Sequence, residues 1–80
     1  MIAPEARMGN DIARQFAHLP ADQAVAAISR HIETFWDPRM RDALRSVVSA
    51  GDVTLDPLVV AATGLVRDDV ARRETDRLQP

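Results

Sequence analysis

The chain has no cysteine, no lysine and no tyrosine, and its aromatic side chains are Phe16, Phe35 and Trp36. Without cysteine there are no disulfides, no thiolate metal ligands and no Cys nucleophile, and a reducing compartment is allowed. No segment approaches the ~20 apolar residues of a membrane span. The opening MIAPEARMGN has no apolar stretch of the kind a signal peptide needs, so the expectation is a cytoplasmic protein with no membrane partner. The three glycines stand singly, which rules out a glycine-rich phosphate loop. Charge of one sign is also missing: the formal net charge is −2 without any long acidic or basic run, so nothing marks a nucleic-acid or anionic-membrane footprint. All ten basic residues are Arg, which a GC-rich coding bias explains, although Arg also suits planar bidentate contacts.

What is present is 80 residues, 46% of them apolar, with Ala and Val supplying much of that share. A chain this short buries a modest fraction of its surface, and a thin core of small side chains leaves stability marginal and help from a partner plausible. Apolar residues recur with helical spacing. Pro4 suits a first helical turn, and Met8, Ile12, Phe16 and Leu19 fall within one arc that HLP closes, with His18 at its C-terminal end. From Ala21, the residues Val25, Ile28, Ile32, Phe35 and Trp36 define a second arc. Asp37-Pro38 then reads as an N-cap with Pro at the first helical position. The third helix buries Met40, Ala43, Leu44, Val47 and Val48 and is capped by Gly51. Asp56-Pro57 repeats the start signal for a fourth, shorter helix with Leu58, Ala62, Leu65 and Val66 on its apolar face, weakened by Gly64. The only alternating stretch, DVTL at 52–55, is too isolated to pair as a strand.

The expected fold is therefore all-α: a small bundle of about four short helices over residues 1–66, followed by a charged C-terminal extension, 67–80. That extension, RDDVARRETDRLQP, interleaves opposite charges and reads either as a frayed helical continuation helped by pairs such as Asp69 with Arg73, the favoured reading, or as a disordered tail.

Chemistry is hard to place on this pattern. His18 and His31 lie on different predicted helices, and neither has a ligand companion at i, i+4. Ser29, Ser46 and Ser49 lack a strained elbow or a neighbouring His. Asp37 and Asp56 already serve as caps, and Asp42 has no predicted pocket around it. What remains is the corner HIETFWDPRMR, residues 31–41. On one reading Phe35 and Trp36 fill the core at a helix junction and the arginines are solvated. On the other, a large aromatic flanked by Arg marks a docking surface, because Trp and Arg are enriched among binding hot spots.

HIETFWDPRMR, preceded by RMGNDIARQF and followed by LDPLVVAATGLV, resembles the delta subunit of soluble, NAD-dependent formate dehydrogenases. Within the resemblance, Gly9 stands where a helix former such as Ala is expected. The resemblance implies a non-catalytic accessory subunit that supports assembly or stability of larger subunits, the catalytic one foremost, in which formate is oxidised to CO2. Those subunits carry molybdenum or tungsten pterin, iron–sulfur clusters, FMN and NAD, while this chain binds no cofactor and no metal of its own. It further implies partner-binding residues at the corner: His31, Phe35, Trp36, Arg39, Arg41 and Arg45, with Trp36 partly exposed. The alternative function is a free-standing helical adaptor or regulator of another complex. A small nucleic-acid-binding domain is a third, opposed by the acidic balance.

Overall fold

Proline starts every helix. The computed structural model describes residues 3–67, and within them four helices run in order: α1 Pro4–Gln15, α2 Ala21–Phe35, α3 Pro38–Ser49 and α4 Pro57–Leu65. Pro4, Pro38 and Pro57 occupy the first helical position, where the missing N–H costs nothing, and Pro20 is the residue on which α2 opens. Asp37 accepts a hydrogen bond from the backbone N–H of Met40 at 2.8 Å, and Asp56 accepts one from that of Leu58 at 2.8 Å. Both Asp-Pro pairs are thus the caps their sequence announces.

The helix ends follow local chemistry as well. After α3, Gly51 adopts φ 73°, and its N–H reaches the carbonyl of Val48 while that of Asp52 reaches Val47, a Schellman closure. Without a side chain, Gly51 enters the left-handed region free of steric cost. The first helix ends sooner than HLP suggests. It stops at Gln15, and residues 16–18 form a turn in which the N–H of Phe16 bonds the carbonyl of Ala13. His18 therefore lies in the turn rather than on the helix.

One contiguous core joins the four helices, with Ile28, Ile32, Leu44 and Val59 fully enclosed. Burying each such side chain stabilises by about 1.5–3 kcal/mol. The principal packing is α2 on α4, with α1 laid against the other three helices. The consecutive helices α2 and α3 pack mainly through α1 and α4.

In two helices the buried face is the expected one shifted toward smaller residues: Ile12 and Ala62 are buried and Phe16, Leu58 and Val66 pack on the core as their spacing implies, but Met8 and Leu65 are turned out. In α1 the buried residues are Ala6, Gly9, Ile12 and Ala13, while Met8 is exposed. In α4 they are Val59, Ala62 and Thr63, while Leu65 is exposed. The reason is close approach, since a Cβ added at Gly9 would stand 3.0 Å from the Cγ1 of Val59. Small residues let α1 settle against α4 where a larger face would hold it away. Thr63 enters the core without a lost hydrogen bond, because its hydroxyl donates to the carbonyl of Val59 at 2.7 Å.

The connection from α3 to α4 contains no strand. DVTL forms turns, with Leu55 buried and Val53 95% exposed. The connection is tied to α1 by Asn10, whose amide donates to the carbonyl of Thr54 at 2.9 Å and accepts from the N–H of Asp56 at 2.8 Å. Within it, the Asp52 carboxylate accepts from the hydroxyl and the N–H of Thr54 at 2.6 and 2.8 Å. Of the expected extension 67–80, only Arg67 lies among the described residues; the Asp69–Arg73 pair lies outside them.

Candidate functional site

At the α2–α3 corner, neighbouring side chains part ways. Trp36 is 5% exposed and belongs to the core, whereas Phe35, one residue earlier, is 71% exposed. The expected partial exposure of Trp36 is therefore incorrect. Trp36 ends α2 with its N–H still bonded to the carbonyl of Ile32, so it stands one turn beyond Ile32 on the buried arc, and its extended ψ turns only the chain that follows. Phe35 and Trp36 do not share a face.

Arg41 is likewise inside, at 8% exposed. Its guanidinium donates to the carbonyl of Trp36 at 3.2 Å and, at the longer distance of 3.5 Å, to that of Glu33. The last carbonyls of a helix have no partner within it, and a cation there also answers the helix dipole. Because α2 has no basic residue in its own last turn, Arg41 supplies that charge from the next helix. Its place in the fold is that of a fastener across the corner, not of a solvated arginine on the border of the α3 face.

The other corner residues remain at the surface. His31 is half-buried, and its ring packs on Phe35 with centroids 4.7 Å apart and planes tilted by 44°. Arg39 is exposed. Arg45 is partly buried, pairs with Asp42 at 3.2 Å and donates to the carbonyl of Val66 at 3.3 Å. The structure thus brings His31 and Phe35 together, and it encloses Trp36 and Arg41 behind them.

Shallow grooves flank the corner. One, of about 340 Å³, is lined by Phe16, Ala27, Arg30, His31, Thr34 and Phe35. A second, of about 400 Å³, runs between α2 and the end of α4 past Glu33, Leu65 and Arg67. There the Glu33 carboxylate accepts from the N–H of Arg67 at 2.8 Å and faces its guanidinium at 3.7 Å. A third, of about 350 Å³, lies between α3 and α4 beside Arg45, Val60 and Val66. Among the described residues, no group of three His, Asp or Glu side chains is gathered as a metal would need, and no helix is long and apolar enough to cross a membrane.

Arg30 and Phe16 were not among the sequence-predicted site residues. Arg30 sits off the apolar arc of α2, and Phe16 belongs to another helix in the linear pattern, so only folding puts them beside Phe35.

No curated protein and no solved structure matches the chain significantly. A family model described as NADH-dependent formate dehydrogenase delta subunit FdsD does match, over residues 6–63. That span runs from the first turn of α1 into the last turn of α4, across the capped corner and the whole of the core it closes. The chain belongs to the NADH-dependent formate dehydrogenase delta subunit family.

Proposed function

We propose that this chain is a non-catalytic, cofactor-free accessory subunit of a cytoplasmic NAD-dependent formate dehydrogenase. It supports assembly or stability of the larger subunits in which formate is oxidised to CO2, with the catalytic subunit as its partner. The observation that carries the reading is the family match across all four helices. The residue chemistry agrees with it. Iron–sulfur clusters are held by thiolates, and the chain has no cysteine. Among the described residues, the three grooves at and beside the corner are open and near the lower end of the size range of ligand pockets, without the convergent polar groups that fix a cofactor. On this reading the partner meets the surface side of the corner, at His31, Phe35 and Arg39 with Arg45 further along α3. Trp36 and Arg41 act from behind by holding that surface in shape.

The test is a tagged chain purified from its native host, together with a strain from which its gene is deleted. The tag is expected to bring down the larger subunits, and the deletion to lower the yield of assembled enzyme while fully loaded molecules keep their turnover. Formate oxidation by the isolated chain, or an undiminished yield of complex in its absence, overturns the reading. Recovery of an unrelated protein in place of the dehydrogenase subunits points to a free-standing adaptor instead.

A further inference from the structure

The three grooves differ in how their charges are answered. Beside Leu65, Glu33 and Arg67 answer one another, and Arg30, which stands on the ridge between this groove and the one at Phe35, is not paired with that carboxylate. Beside Val60, Arg45 is held by Asp42 and the carbonyl of Val66. In the groove at Phe35, no acidic side chain lines the walls, and among the described residues no carboxylate lies within ion-pair distance of Arg30. The apolar part of that groove is also built in advance. Phe35 would be costly to leave in water as a mobile ring, yet its packing against His31 holds it in place, and Phe16 and Ala27 extend the surface. The Thr34 hydroxyl is engaged by the carbonyl of Arg30 at 2.8 Å, so it adds no competing donor.

We propose that this groove receives an apolar side chain flanked by a carboxylate, presented by a larger subunit of the dehydrogenase. The apolar group packs on Phe35, Phe16 and Ala27, and the carboxylate takes the guanidinium of Arg30, whose fork geometry suits a bidentate pair. Burying an aromatic together with an unmatched Arg gives the composition of a binding hot spot. A volume of about 340 Å³, open to solvent, holds one or two side chains rather than a pterin or flavin. The inference rests on the accessory-subunit reading and adds to it which groove docks and what chemistry it accepts.

The experiment measures binding of the purified full-length chain to the larger subunits isolated from a strain lacking its gene. Phe35→Ala and Arg30→Glu are each expected to weaken binding on the order of tenfold or more, while circular dichroism and melting stay as in the parent. Arg30→Gln should fall between parent and Arg30→Glu and should lose much of the salt dependence the parent shows. Val53→Ala, at a site 95% exposed in the α3–α4 connection, should bind like the parent. If the parent itself does not bind, the accessory reading has failed. If the parent binds and the Phe35 and Arg30 variants bind equally well, the groove is wrong and the accessory reading stands. Equal effects of Arg30→Gln and Arg30→Glu without a salt effect would remove the carboxylate. Two further outcomes name another occupant and also overturn the proposal. One is an isolated parent that is a dimer, which Phe35→Ala converts to a monomer. The other is a change in the His31 ring signals of the isolated chain when residues 68–80 are deleted.

Discussion

Asp37-Pro38 and Asp56-Pro57 are the same local signal, each starts a helix and each follows a buried apolar residue, yet the polar groups that hold the two corners come from different places. At the first, α2 passes to α3 with only Trp36 and Asp37 between them, and the support comes from inside: a buried indole and a buried guanidinium that reaches back to α2. At the second, residues 50–56 intervene, Val53 is in solvent, Leu55 anchors the connection in the core, and the polar support comes from another helix, through Asn10 on α1, 46 residues before the N–H it holds. A cap sets where a helix begins. It says nothing about how the preceding chain is held, because that depends on which distant groups the fold brings within reach.

The difference can be broken most sharply at Trp36. Trp36→Ala empties the core beneath the first corner and is expected to cost ~3–5 kcal/mol, close to the entire stability of so small a domain, with loss of most helical signal by circular dichroism. A variant that melts like the parent would mean the indole is not a core element. Next comes Arg41→Met, which keeps the aliphatic stem but leaves the carbonyls of Trp36 and Glu33 unanswered. A loss of about 1–3 kcal/mol in denaturant melts is expected, with the second corner unaffected as read by hydrogen exchange. At that second corner, Asn10→Ala removes one acceptor and one donor from the connection. Since those bonds lie nearer solvent, about 1–2 kcal/mol is expected, with faster exchange at the Asp56 amide as the local signature.

The caps themselves should be nearly equal, which sharpens the contrast between their surroundings. Asp37→Ala and Asp56→Ala are each expected to cost about 1 kcal/mol without altering the activity of assembled enzyme. An activity collapse with unchanged melting would instead give one of these carboxylates a functional role. The smallest effect belongs to Asp52, which is partly exposed at the start of the α3–α4 connection. Hydrogen bonds from the Thr54 hydroxyl, and then from the Thr54 N–H, hold its carboxyl below its ordinary value of 3.8. With the folded value below the unfolded one, its stabilisation is complete above 3.8 and fades as pH falls through the lower folded value. Thr54→Ala should therefore lower the melting temperature slightly at neutral pH, and the difference from the parent should shrink as pH falls below about 4, which a titration of melting temperature would show.

The amino-acid sequence by itself determined the elements. Proline at the head of each helix, the Asp caps, and Gly51 in the left-handed closure of α3 depend on interactions within a few residues, so they are legible along the chain. The string FWDPRMR likewise carried the family likeness, which the match over residues 6–63 then showed. The tertiary structure alone decided which faces are buried and what the corner exposes. Helical spacing carries Trp36 onto the buried line of Ile28 and Ile32, but only the packing shows that Phe35, at the edge of the same arc, meets no neighbouring helix and stays out. Met8 and Leu65 look like core residues by size, but they are turned out while Ala6, Gly9 and Ala62 are buried, with Gly9 set directly against Val59, because packing rewards close approach as much as apolar volume. Arg41 of α3 with the end of α2, Asn10 of α1 with the α3–α4 connection, and Arg30 of α2 with Phe16 are pairings between separate elements. Their physical cause is spatial proximity, which no local spacing encodes.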